Sequence, residues 1–207
     1  MSVDDAFDDL ERRMSALVEE ETQKAMVGSF SNEQLVDHLH GADMTNSFIR
    51  GHLYFEHILV EAITGALTNP FEIDLRRLSF PAKLDLALAL GVLPLEFRRI
   101  GNVLNEMRNK VAHRLDFEFG DEHQRLLWNA LPDVIRANLL KHKSLPADRF
   151  LEIHIHSVLV ALLSAAEGFR RRAAIGRARN RVADQHLREA VELARPGMEA
   201  RGLLKKR

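Results

Sequence analysis

Apolar residues recur at steps of three and four along most of this chain, and that spacing commits it to amphipathic helices. Between Pro94 and His113 the stripe is Phe97, Ile100, Leu104, Met107 and Val111, with Arg99, Glu106 and Lys110 on the opposite side. Two-residue alternation is confined to Leu115–Phe119 and Ile153–His156. Both runs are short, and the second lies inside a longer helical pattern, so neither is taken as a strand. The fold class expected is all-α.

Stop and start signals divide the pattern. Val3 to Val27 reads as an amphipathic opening helix with a largely acidic outer face. Ser31-Asn32-Glu33-Gln34 resembles a capping box before a short helix. Thr45 to Leu67 is a strongly apolar helix ended by Asn69-Pro70. Ser79-Phe80-Pro81 caps and opens the next, and Gly91 stops it. Pro94 begins the helix that reaches His113. Asp121 is expected to cap one helix running to about Lys143, and Pro146 to open a long one past Arg172. A separate last helix, Ala183 to Ala194, is expected to break at Pro196-Gly197. This gives three regions: an acidic helical extension over 1–44, a core over 45–145, and C-terminal helices with a basic tail over 146–207, packed on the core.

Charge sets bounds on partners. The 207-residue chain has a net charge of -1, which argues against a nucleic-acid packaging or membrane-surface protein. The balance is uneven, however. Asp4, Asp5, Asp8, Asp9, Glu11, Glu19, Glu20 and Glu21 crowd the head, and Arg170, Arg171, Arg172, Arg177, Arg179 and Arg181 crowd the far end. Such ends can attract each other, within one chain or between two. There is no cysteine, which excludes disulfides, thiolate ligands and cysteine nucleophiles. The acidic N-terminus is not a secretory signal, and the longest apolar run, Ser157–Ala166, is too short to span a bilayer. A cytoplasmic protein without a membrane partner is expected.

The helix ending at His113 has an unusual third face. Asn102, Asn105, Asn109 and His113 lie along it, edged by Gly101, Arg108 and Ala112. Asparagine is a poor choice for a helix interior, because its amide competes with the backbone for hydrogen bonds. The face suits either a polar seam inside one chain or a symmetric contact between two, and the spacing leaves both open. Asn109 and His113, four apart, are neighbours, and the long Arg108 side chain reaches the same side. The three suit a phosphodiester. Histidine exchanges protons near neutral pH, arginine holds phosphate, and asparagine orients either. The bland alternative is that a cation and a histidine near a helix end merely answer its dipole.

These residues also carry a resemblance. Arg108-Asn109-Lys110-Val111-Ala112-His113 matches the Arg-polar-x-x-x-His signature of the HEPN superfamily. The flanking Ser79-Phe80-x-x-Lys83-Leu84-x-x-Ala87-x-Ala89-Leu90-Gly91 is similar to the mannitol operon repressor family and its helical relatives. Gly51 to Leu59 resembles that group's first core helix, with Glu56 as the carboxylate five residues after a glycine. The resemblance covers residues 45–122. It implies a HEPN-like helical bundle with added N- and C-terminal helices. It also implies a homodimeric, metal-independent ribonuclease with Arg108 and His113 in one cleft, Asn109 beside them, and Glu56 and Asn105 in support. The repressor branch implies instead a non-catalytic regulatory or interaction protein of the same fold, and a partner protein or antitoxin fits either. A tyrosine two residues past the motif histidine, the target of nucleotidylation in some HEPN toxins, is here Leu115. Independently of the family, Glu56 occupies the middle of an apolar stripe of Ile49, Leu53, Val60, Ile63 and Leu67, and a charge there needs a partner. Arg108 is the expected one.

Other chemistries are less well served. His38 with His40, His154 with His156, and His52 with His57 lack an accompanying ligand set, and residues two apart on a helix point to different faces. No metal or cofactor is expected. No nucleophile elbow, helix-turn-helix or phosphate loop is present. Arg170, Arg171, Arg172, Arg177 and Arg179 are candidates for an RNA-backbone surface. With no aromatic interleaved among them, a solvated face paired with the acidic head is the preferred reading.

Overall fold

The computed structural model describes residues 3–26, 32–40, 43–113, 117–144, 146 and 154–201, and every regular element among them is helical. The α-helices are α1 (Val3–Met26), α2 (Asn32–His40), α3 (Met44–Ala66), α4 (Phe80–Ala89), α5 (Phe97–His113), α6 (Asp121–Ala130), α7 (Asp133–Lys143) and α8 (Ile155–Ala200). Two 3-10 turns, Pro70–Glu72 and Leu75–Arg77, link α3 to α4. The all-α class is what the structure has.

Local chemistry accounts for several boundaries. Asp43 caps α3 by accepting from the Asn46 backbone N–H at 2.9 Å. Ser79 caps α4 in the same way, accepting from Ala82, with Pro81 in the first turn where no N–H is needed. Gly91 follows α4 at φ +68°, a left-handed conformation that favours glycine.

Other boundaries depart from the periodicity. The single helix expected from Asp121 to Lys143 is two, because Leu131 and Pro132 are extended and α7 restarts after the proline. The last helix is not separate, since α8 continues from Ile155 through Pro196 to Ala200. Arg195 bonds Glu192 before that proline and pairs with Glu199 after it, which holds the two sides together. Ser31, Leu115 and Ile153 lie outside the described residues. Phe117 to Phe119 forms no strand; Phe119 instead packs its ring on Phe48 at 5.0 Å.

The chain divides into two compact units, residues 28–173 and residues 1–27 with 174–207. The limits expected at 44 and 145 fall elsewhere. Leu35 and Leu39 of α2 and Ile155 to Ala166 of α8 belong to the same buried cluster as α3 to α7, so they are core and not extension. That cluster holds Phe48, Phe55, Leu59, Leu84, Ile100, Leu104 and Met107, each at most 1% exposed. At about 25 cal/mol per Å2 of apolar surface, such burial is the chief stabilising contribution. In the smaller unit, Leu10 and Met14 of α1 pack on Val182 of α8. Arg181 pairs with Glu21 at 3.2 Å, so the acidic head and basic tail meet within the chain, and Arg13 pairs with Glu189 at 3.5 Å in the opposite sense.

Among the described residues no helix is long and apolar enough to cross a membrane.

Candidate functional site

Three helices of the larger unit converge on one polar cleft. α3 supplies His52 and Glu56, one turn apart on a shared face. The second 3-10 turn and the start of α4 supply Arg76, Leu78, Ser79, Phe80, Pro81 and Lys83. α5 supplies Asn105, Arg108 and Asn109. The cavity is about 450 Å3, within the range of small-ligand sites.

α4 packs closely on α5. A Cβ built on Gly101 would lie 2.5 Å from Leu84 Cδ2, so glycine is what lets the two helices approach. The small residue expected to admit a neighbouring helix does so here.

The electrostatics differ from expectation in one respect. Glu56 does not hold Arg108; it pairs with Lys83, whose Nζ donates to Oε1 at 2.5 Å. The reason is burial. Lys83 is buried and needs a carboxylate, whereas Arg108 is exposed and solvated. Arg108 Nη1 donates to Asn109 Oδ1 at 3.4 Å, a weak contact. Arg76 bonds Asp74 at 2.9 Å. Of the three cleft cations, Arg108 alone lacks a carboxylate among the described residues.

His113 stands apart. It is the last residue of α5, exposed, and outside the cleft lining. Helix geometry places it about 6 Å along the axis from Asn109 on the same face. Asn102 and Asn109 are exposed with it and Asn105 is half-buried, so this face forms no closed seam within the chain.

Sequence reasoning left several residues of the cleft without a role, two of them buried and polar. His52 is 3% exposed, its ring lies 4.4 Å from that of Phe80, and its Nε2 has no partner among the described residues. Burial, helped by Arg108 and opposed by Glu56, pushes its pKa down to about 4, so the imidazole is neutral at pH 7. Lys83 is the other. Both occupy apolar slots, His52 between Phe48 and Phe55 on α3, and Lys83 between Phe80 and Ala87 on α4. A polar residue in a core slot was the available signal.

The arginine stretch of α8 is largely engaged. Burial pushes the Glu167 carboxyl up, but hydrogen bonds from Arg170 and Arg171 outweigh it and hold its pKa below the usual value. Arg170 donates to both Glu167 oxygens at 2.8 Å and lies 3.6 Å from Glu61. Arg171 reaches Glu167 at 3.0 Å, and Arg172 lies over the Phe169 ring at 5.0 Å. Arg177 is half-buried in the smaller unit and only Arg179 of the five is an exposed cation there. Arg170 and Arg171 are thus internal ties more than a ligand surface.

A Ser–His pair elsewhere is structural. His156 Nε2 lies 2.9 Å from Ser47 Oγ, but that buried hydroxyl gives its own proton to the Leu39 carbonyl at 2.5 Å.

No family model, curated protein or solved structure matches the chain.

Proposed function

We propose that the cleft of α3, α4 and α5 is part of a HEPN-type, metal-independent endoribonuclease site, completed when two copies of the chain pair along α5. The observation that carries this reading is Arg108, a cleft cation with no carboxylate to neutralise it among the described residues. Such a cation is available to a phosphate, and its planar fork of donors suits two phosphate oxygens.

The chemistry follows from residues on α5. His113 takes the proton of a ribose 2′-hydroxyl as that oxygen attacks the adjacent phosphorus. Charge grows on the non-bridging oxygens, where Arg108 stabilises it and Asn109 orients the guanidinium. The bond to the 5′-oxygen breaks and that oxygen takes up a proton from water, leaving a 2′,3′-cyclic phosphate and a 5′-hydroxyl. Exposure of Asn102, Asn109, Ala112 and His113 supports pairing with a second copy, which would bring its own α5 face against this one.

A specific observation favours a second reading. Within one chain His113 does not line the cleft that holds Arg108. A site that binds phosphate without cutting it would serve a regulatory or interaction protein of the same fold.

Mixed cellular RNA incubated with the protein in excess chelator separates the two. Cleavage by the wild type but not by a folded His113→Ala variant, with cyclic-phosphate ends, is the expected result. Intact RNA from a folded dimer across varied substrates favours the regulatory reading.

A further inference from the structure

In the smaller unit, α8 carries an apolar strip that faces away from α1. The helix turns Ala178 and Val182 inward, 1% and 3% exposed, and Val182 packs against Leu10 and Met14. Leu187 and Val191 lie nine residues beyond Ala178 and Val182, which is two and a half turns and therefore the opposite side of the helix. They are 65% and 46% exposed and one turn apart, and exposed Ala183 stands a turn before Leu187.

The charges beside the strip say what covers it. Asp184 and Arg188 lie on one flank of Leu187, both exposed and neither in an ion pair among the described residues. They stand two residues to either side of His186. An antiparallel copy of α8 centred on that level sets its Arg188 beside Asp184 and its Asp184 beside Arg188. Both pairs fall on the same flank, because a two-fold axis between the helices carries each flank onto itself. A parallel copy would set like charges together instead. In the antiparallel register the apolar residues also interleave. Ala183 of one copy falls between Val191 and Leu187 of the other, and the two Leu187 side chains meet at the centre.

We propose that this face of α8 is an interface with a second copy of the chain, antiparallel and centred at His186, with Leu187 and Val191 buried between two Asp184–Arg188 pairs. The patch is self-complementary, as a two-fold contact requires. Its apolar residues supply the burial, and its charges fix direction and register. The contact uses different residues from the pairing along α5 and is independent of any reading of the cleft.

The chain has no cysteine, so one introduced thiol reports one contact. In this register the two copies of position 187 differ in level by two residues, about 3 Å along the axis, within disulfide reach across a close helix pair. Under mild oxidation, full-length Leu187→Cys should form a covalent dimer at least tenfold faster than Gln185→Cys, whose site is exposed but turned away from the strip. Adding Asp184→Arg should slow the link at least tenfold, because like charges then meet on both sides of the centre. Adding Arg188→Asp to that variant should restore the rate. All these positions are exposed, so the melting temperature of the reduced variants should stay that of the wild type. A link at position 187 requires this face, so pairing along α5 neither produces nor prevents it. Equal rates at 187 and 185, or a rate indifferent to Asp184→Arg, overturns the proposal and leaves the strip to a different partner.

Discussion

Lys83 and Glu56 form an ion pair at 2.5 Å in which the lysine is the more buried partner, its side chain 7% exposed against 28% for the glutamate. That imbalance makes the two deletions unequal. Glu56→Gln leaves a largely buried ammonium without its counter-charge and should cost about 3 kcal/mol. Lys83→Met keeps the packed stem and lets Glu56 turn to solvent, at a cost of about 1 kcal/mol. Urea unfolding of the two variants checks the order, and equal losses would contradict the burial assigned to Lys83.

Gly101 sets how closely α5 approaches α4. Its missing Cβ would lie 2.5 Å from one Leu84 methyl and 2.9 Å from the other, and Leu84 is 1% exposed in a packed core. Gly101→Ala is therefore expected to lose about 1–3 kcal/mol despite the gain in helix propensity. Pairing it with Leu84→Val should recover part of that loss. A double-mutant cycle in thermal unfolding measures the coupling, and strictly additive losses would contradict the contact.

His52 gives stability a dependence on pH whose sign is fixed. Its folded pKa is about 4 against an ordinary 6.5, chiefly through burial. Between those values the unfolded chain holds more protons, so stability is full above pH 6.5 and is lost as pH falls towards 4. The gap corresponds to about 3 kcal/mol. The difference between wild type and His52→Leu, measured from pH 7.5 to 4, isolates this contribution from other titrating groups. At pH 7 the variant should be more stable by about 1 kcal/mol, because an unpaired buried nitrogen is gone. A variant that destabilises and keeps the wild-type pH slope would show that His52 is a structural tie.

Much of the fold was legible from single residues. Ser79, Pro81 and Gly91 bound α4 because a cap, a missing N–H and a left-handed turn each have one local cause. The break at Pro132 was not, since Leu127, Leu131, Ile135 and Leu139 keep helical spacing across it while the chain turns. On α3 the expected stripe was only partly right. Of that stripe Ile63 is fully buried but Leu53 is 57% exposed, and the core face also holds Phe48, Phe55, Leu59 and Ala62, because apolar residues surround that helix and periodicity cannot choose among its faces. Arg108 and Asn109 were located by a motif within α5, as local as a cap. The Glu56–Lys83 partnership spans 27 residues and depends on how α3 and α4 pack, which spacing along one helix does not encode.

The most direct test of the central claim separates binding from cleavage at two positions of α5. Arg108→Ala should weaken binding of an all-deoxy oligonucleotide at least tenfold and also abolish RNA cleavage, since the guanidinium holds the phosphate. His113→Ala should bind that oligonucleotide as the wild type does while losing cleavage by at least about a hundredfold, the usual scale for removing a general base. That split is the expected outcome in excess chelator. Cleavage that persists in the folded His113→Ala variant, or binding indifferent to Arg108, would contradict the assignment of this cleft to RNA cleavage.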